Sequence, residues 1–352
     1  MGLVDGKRVL LTGGTGSLGR VILRRLLAGE FGRAQKIVVF SRDEKKQHDM
    51  RTTYAHNRGA TDQAIPRDCD GMLEFRIGDV RDFHSVAAAL QTVDLVLHAA
   101  ALKQVPTCEY APFEAVLTNV VGAENVVRAI EQHSIPVETV VGMSTDKACK
   151  PVNVMGMTKS IQERIFIQAN MRCPNTRFVC VRYGNVLASR GSVIPFFREQ
   201  IRQGGPVTIT SPDMTRFLLT LDTATETVFS AVREAHRGEI YIPRVSSARV
   251  VDIAAVMIGD RRIETVVTGI RPGEKIDEIL VSEEERFRTV ERGEYYVIRP
   301  SLSELRDHSK QVVTLSKEYS SRDHLMDREA LMELLGRHGL LSLQAPGFEN
   351  DG

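Results

Sequence analysis

The chain has 352 residues, 42% of them hydrophobic and 26% charged, which suits one large domain with a smaller lobe beside it. Its 46 lysines and arginines are balanced by 45 acidic residues, so net charge gives no argument for binding nucleic acid or a membrane surface. The five cysteines (Cys69, Cys108, Cys149, Cys173, Cys180) form no CxxC pair and read as reduced thiols, and the nine histidines form no HExxH metal motif. No secretory segment precedes the first strand and no apolar run nears the roughly 18 residues of a membrane span, so a soluble, cytoplasmic protein is expected.

In chain order, residues 8–12, 36–40, 73–77, 95–99 and 137–143 are short, nearly continuous apolar runs. Runs of this kind suit a parallel sheet covered on both faces. Helical patterns at 18–28, 82–90 and 112–133 alternate with them, which predicts a Rossmann-like, doubly wound α/β fold. The polar stretch 50–70 reads as a long surface connection. A helix over 153–170 and a strand over 177–182 follow, so an NAD(P)-binding domain is expected over 1–183. Beyond it, helices at 193–203, 223–233 and 250–258 mix with short strands, and 269–275 is rich in loop formers. Residues 184–352 are therefore expected to form a smaller mixed α/β substrate lobe, with a polar tail that ends in a helix near 328–338.

Directly after the first strand comes Thr12–Gly19, TGGTGSLG, which opens the first helix. Gly13 permits the tight turn, Gly16 lets backbone approach a pyrophosphate, and Gly19 allows close helix packing. Thr15, Ser17 and Leu18 lie between them, where the helix N-terminus favours a negative charge. The second strand leads into Ser41, Arg42 and Asp43, with Lys45 and Lys46 following. An acidic residue at that strand end would hold a ribose hydroxyl of NAD, whereas Ser41, Arg42 and Lys45 suit the 2′-phosphate of NADP. Asp43 could turn to the ribose or simply cap the helix that follows. Asp79 and Val80 close the third strand, where Asp79 either meets the adenine edge or caps a helix. Ala99 and Ala100, after the fourth, are small enough to let backbone pass near the cofactor.

The fifth strand ends in Ser144-Thr145-Asp146-Lys147, at the carboxyl edge where open α/β sheets bind ligands. Eight residues beyond Lys147 comes Met155, and Lys159 lies four further on. A spacing of four puts both on one helical face. At this point the chain resembles the extended short-chain dehydrogenase/reductases that modify nucleotide sugars, most of which carry YxxxK here. Residues 100–106, 144–147, 182–195 and 214–217 resemble one branch of them, the UDP-N-acetylglucosamine 4,6-dehydratases of polysaccharide biosynthesis. A subgroup of that branch carries MxxxK, as this chain does at Met155 and Lys159.

The resemblance implies a bound nicotinamide cofactor regenerated in each turnover and a UDP-sugar substrate. It also implies a homo-oligomer, since relatives pair through helices of the dinucleotide domain. It makes Asp146 the acid for the C6 hydroxyl, Lys147 the base at C5 and Lys159 the holder of the nicotinamide ribose. Thr145 would hydrogen-bond the C4 oxygen. Without tyrosine the C4 proton falls to Asp146 or to a water relayed through Lys159, and Met155, a thioether, accepts no proton usefully. Lys103, Asn185 and Arg190 are expected on the substrate, with Arg216 and Arg271 on its pyrophosphate. Glu274 belongs to the loop 271–275 that resembles the family's cover over the nucleotide. A 4-epimerase and a cofactor-binding regulator without turnover are the competing readings.

Overall fold

The computed structural model describes residues 2–56, 71–187, 192–306 and 314–342. The apolar runs form strands and the amphipathic stretches between them form helices. β1 (Arg8–Thr12), α1 (Ser17–Leu27), β2 (Lys36–Ser41), α2 (Glu44–His56), β3 (Leu73–Ile77), α3 (Phe83–Leu90) and β4 (Leu95–His98) come first. α4 (Val105–Tyr110) and α5 (Pro112–Ala115) lead through a π-helical turn, Val116–Val121, into α6 (Gly122–His133). β5 (Thr139–Thr145), a 3-10 turn at Asp146–Ala148, α7 (Val154–Arg172) and β6 (Arg177–Tyr183) follow. The second half contains β7 (Asn185–Val186), α8 (Val193–Arg202), β8 (Val207–Ile209), β9 (Thr215–Leu219), α9 (Leu221–Glu234), β10 (Ile240–Pro243), β11 (Ser247–Arg249) and α10 (Val250–Ile258). It closes with β12 (Thr265–Val267), β13 (Ile279–Val281), α11 (Glu283–Arg286), β14 (Thr289–Arg292), β15 (Tyr295–Ile298), β16 (Tyr319–Ser320) and α12 (Arg328–Arg337).

The main sheet runs β14-β15-β10-β6-β5-β4-β1-β2-β3. From β10 to β3 every pairing is parallel, and β15 and β14 add an antiparallel edge. Two apolar clusters cover its two faces. The strand order reverses at β1, so the crevice beyond its carboxyl end is the topological switch point where such folds bind ligands. This is the Rossmann-like α/β architecture expected from the sequence.

Three features depart from the sequence reading. The sheet does not stop at residue 183: β10 pairs with β6 through Ile240 and Cys180, and β15 and β14 continue it. A buried β6 edge would leave unpaired backbone polar groups, and these later strands satisfy them. The smaller lobe that remains has its own core of α8, α10 and α12 residues, including Phe197, Ile253 and Leu331. The polar stretch after β2 begins as a helix, because α2 is capped by Asp43 and buries Gln47 and Met50. Residues 57–70 of that predicted connection, and Cys69 with them, lie outside the described residues. Finally, the helix expected over 112–133 is interrupted by the π-helical turn, which turns Asn119 inward onto Leu102 and Thr158. Among the described residues no helix is long and apolar enough to cross a membrane.

Candidate active site

A cavity of about 990 Å³ opens at the carboxyl ends of β1, β2, β4, β5 and β6 and is walled on its far side by the C-terminal half. Gly13, Thr15, Gly16, Ser17, Leu18 and Gly19 line one end of it. Gly13 has φ 67°, and a Cβ there would lie 2.7 Å from the Ala100 nitrogen, so only glycine fits between β1 and the loop after β4. Gly16 caps α1 without a side-chain acceptor, which leaves the first-turn N–H groups directed at the cavity. This cradle fits a dinucleotide pyrophosphate.

Thr15 and Ser41 share a hydroxyl hydrogen bond of 3.0 Å, and Ser41, Arg42, Asp43 and Lys46 line the adjoining wall. Lys45, expected there, is not on that wall, because the first turn of α2 presents Lys46 instead. Asp43 accepts from the Lys46 backbone N–H at 3.0 Å and from its Nζ at 2.5 Å, so its carboxylate is engaged in capping. Asp79 accepts from the Arg81 N–H and Nε at 3.0 and 2.8 Å, while Asp82 is the residue that caps α3. Val80, Ala99 and Ala100 complete this part of the wall.

At the end of β5, Asp146 is fully buried. Its Oδ1 accepts from Thr145 Oγ1 at 2.8 Å and from Lys147 Nζ at 3.2 Å, and its Oδ2 is buried without a partner. Burial pushes this carboxyl upward and Glu278 adds to the push, outweighing the nearby ammonium of Lys147. Lys147 Nζ is 2.9 Å from Glu278 Oε1 and 3.5 Å from Asn185 Oδ1. Burial alone would lower the Lys147 pKa, but Asp146 and Glu278 together raise it. Lys147 Nζ thus sits between Asp146 and Glu278, whose charges favour its ammonium form.

Lys159 is also buried and donates to Gln162 Oε1 at 2.7 Å. Burial pulls its pKa down to about 8. Met155 faces the same cavity and packs with Cys108 and Ala115. The N-terminus of α7 is fixed by Asn153, which accepts from the Gly156 N–H at 2.8 Å and donates to the Gly273 carbonyl at 2.7 Å.

On the far side, Lys103, Asn185, Arg216, Arg271 and Glu274 all line the cavity, and Arg190 lies outside the described residues. Arg216 departs from the expectation of a pyrophosphate ligand. Its Nη1 donates to the carbonyls of Thr215 and Ile276 at 2.6 and 3.0 Å, and its Nη2 to the Lys275 carbonyl and Met214 Sδ at 3.0 and 2.9 Å. With its terminal nitrogens so engaged, Arg216 clamps the segment that follows the nucleotide loop.

The polysaccharide biosynthesis protein family matches residues 9–300. The chain belongs to this family. It is 41% identical over 340 residues to a UDP-glucose 4-epimerase of Rickettsia conorii, covering 94% of this chain and 95% of that protein. It is 40% identical over 303 residues to an inverting UDP-N-acetylglucosamine 4,6-dehydratase of Campylobacter jejuni, covering 85% of each. The solved structure of Pen from Bacillus thuringiensis matches with a TM-score of 0.85 at 33% identity, over 96% of this chain and 99% of that one. The dTDP-glucose 4,6-dehydratase DesIV of Streptomyces venezuelae, solved with NAD, has the same fold, with a TM-score of 0.64 at 20% identity over 76% of this chain and 86% of that one.

Two features of this polysaccharide biosynthesis protein escaped the sequence reading. Glu278 lines the cavity, just beyond the 271–275 loop whose Lys275 Nζ donates to the Cys149 carbonyl at 2.6 Å. Arg182, 1% exposed, binds Glu163 and Glu285 at 2.7 Å each, and Ser144 Oγ donates to Glu163. This buried network joins β6, α7 and α11 directly behind the Asp146–Lys147 pair. Only the tertiary fold brings Glu278 to Lys147.

Proposed function

We propose that this family member is an NADP-dependent UDP-N-acetylglucosamine 4,6-dehydratase of glycan biosynthesis. The observation that carries the reading is the Asp146–Lys147 pair, an acid and an amine in contact on the wall of a cavity that also holds the dinucleotide cradle. An enzyme that only oxidises and reduces C4 has no use for both groups. When bound, the nicotinamide supplies a hydride acceptor for C4 and returns the hydride to C6.

The remaining chemistry falls to the chain's own groups. Thr145 Oγ1 accepts the C4 hydroxyl proton as it passes its own to Asp146 Oδ1, along the hydrogen bond already present. A carboxyl with a raised pKa suits both halves of its task, taking that proton and then delivering it to the C6 oxygen, which departs as water. Lys147 is the member of the pair whose side chain retains exposure, so it can lose its ammonium proton to solvent, and in that form it takes the C5 proton and later gives it back. Lys159 holds the nicotinamide ribose. Lys103, Asn185, Arg271 and Glu274 contact the nucleotide sugar, with Arg190 beside them. Residues 1–183 then carry the cofactor and the catalytic segment, and 184–352 most of the nucleotide contacts.

NADP is favoured over NAD by Ser41, Arg42 and Lys46 on one wall, and by the engagement of Asp43 in capping. A UDP-sugar 4-epimerase is the second reading, supported by the relative of that name in Rickettsia conorii. Incubation with UDP-N-acetylglucosamine separates the two. Product NMR and mass showing loss of one water support the dehydratase, and an unchanged mass with a new sugar supports the epimerase. No turnover of any UDP-sugar leaves the cofactor-binding regulator.

A further inference from the structure

We propose that Glu278 is a positioning residue of the reaction, a carboxylate behind Lys147 that fixes its ammonium group beside Asp146 and sets the pH range in which the pair works. The inference rests on the reading of Asp146 and Lys147 as the acting pair.

Glu278 comes from the C-terminal half and is 1% exposed. Its Oε1 is 2.9 Å from Lys147 Nζ and 3.8 Å from Arg216 Nε, and its Oε2 is buried without a partner. Its backbone is pinned on both sides: its N–H donates to Ser321 Oγ at 2.9 Å, and its carbonyl accepts from the Ser321 N–H at 2.9 Å. Arg216 holds the carbonyls of Lys275 and Ile276, and Asn153 holds Gly273. The loop over the nucleotide and the group behind Lys147 are therefore one braced segment.

The ionised groups that face Glu278 are Lys147 from the 3-10 turn, Arg216 from β9 and Lys275 from its own segment, with Asp146 across Lys147. Asp277 points elsewhere, to Thr215 and Arg322. Buried ion pairs add little net stability, and an apolar side chain would fill this place at lower cost. A buried carboxylate here has a stronger rationale in what it does to Lys147. Its contact fixes Lys147 Nζ beside Asp146, and its charge raises the pH at which both groups have lost their protons and can act as acceptors.

Removing the charge lowers both pKa values. The test is turnover of UDP-N-acetylglucosamine, read as water loss by mass across a pH series, for wild type, Glu278→Gln and Glu278→Asp. Glu278→Gln is expected to move the acid-side limbs of the kcat profile, which report loss of the Asp146 and Lys147 protons, to lower pH by on the order of one unit, with KM within about threefold of wild type. Glu278→Asp keeps the charge on a shorter arm and moves the limbs the same way by less. It decides alone if the Gln chain does not fold. Limbs that superimpose on those of wild type overturn the proposal, as does a rise in KM with the limbs unmoved. A wild-type chain that yields no water-loss product overturns the dehydratase reading itself, which is a separate result.

Discussion

A Cβ added to Gly156 would lie 2.1 Å from the carbonyl oxygen of Lys147. The first turn of α7 thus rests on the backbone of the acid–amine pair, and the two residues that face the cavity from this helix, Met155 and Lys159, are placed by that contact. Gly156→Ala forces the helix away from the 3-10 turn. Overpacking of this kind costs about 1–3 kcal/mol. Displacing the reacting groups by around 1 Å costs about 100-fold in kcat. Thermal melting and steady-state turnover of the variant check both, and wild-type values in the two assays contradict the contact.

The depressed pKa of Lys159 makes a prediction about stability with a definite sign. Below about pH 8 the amine is charged in both the folded and unfolded chains, and its burial is a cost to the fold. Between about 8 and the ordinary 10.5 the unfolded chain holds a proton that the folded chain has released. Stability of the cofactor-free protein therefore rises with pH across that window, by on the order of 3 kcal/mol in the limit. Lys159→Met removes the rise and stabilises the cofactor-free protein at neutral pH, while turnover falls at least 100-fold. Urea denaturation at several pH values provides the measurement, and a flat wild-type profile contradicts the assignment.

The buried Arg182 network gives a pH dependence of the same sign at the acid end. Burial alone would raise the Glu285 pKa, but the Arg182 guanidinium holds it down at about 2. A depressed carboxylate contributes stability that is complete above the ordinary 4.5 and lost as pH falls towards 2. Glu285→Gln is expected to be less stable than wild type at neutral pH and to approach it in acid. Arg182→Met leaves two buried carboxylates uncompensated and costs about 3–5 kcal/mol. Chemical denaturation at neutral and acid pH tests both variants, and a constant difference between Glu285→Gln and wild type contradicts the linkage.

These residues also mark how far the sequence could be read. The strands were legible because buried parallel strands are nearly continuous apolar runs, and Val9, Leu10 and Leu11 are all but inaccessible. The glycine turn was legible because Gly13 and the strand and helix around it are local. α2 was not, because Lys45, Lys46, His48 and Asp49 make it polar almost all round, with Gln47 and Met50 buried. The π-helical turn leaves no trace in a 3.6-residue period. The pairing of β10 with β6, the clamp made by Arg216 and the contact of Glu278 with Lys147 join residues 60 or more positions apart. No local pattern reports them. Asp146 and Lys147 could be found from their place after β5, but the contact of Lys147 with Glu278, which bears on its charge, could not.

The wall of Ser41, Arg42 and Lys46 predicts the cofactor preference. Arg42 lies 3.8 Å from Asp79 with about half its side chain exposed, a pair weak enough to yield to a phosphate. Arg42→Ala is expected to weaken NADP binding about tenfold, the loss of a charge-assisted hydrogen bond, and to leave NAD within about twofold. Ser41→Asp is expected to reverse the preference by repelling the 2′-phosphate. Calorimetric titration of cofactor-free protein with each dinucleotide checks this, and equal losses for both in Arg42→Ala contradict it.

Met155 stands where the resemblance to the short-chain dehydrogenase/reductases implies a tyrosine, and its surroundings argue that it packs without taking part in proton transfer. It is 5% exposed and lies against Cys108 and Ala115, with Leu102 and Val105 beside them. Met155→Leu conserves volume and apolar character, so it should cost less than about 1.5 kcal/mol and keep most of the turnover. Met155→Tyr restores the common motif but adds a ring and a hydroxyl to a filled cluster. It should cost about 1–3 kcal/mol and, on the proposed relay through Thr145 and Asp146, fail to raise kcat. The kinetics of the two variants decide the matter. A Met155→Tyr enzyme faster than wild type would show that the C4 step lacks a base, and the relay through Thr145 would then be wrong.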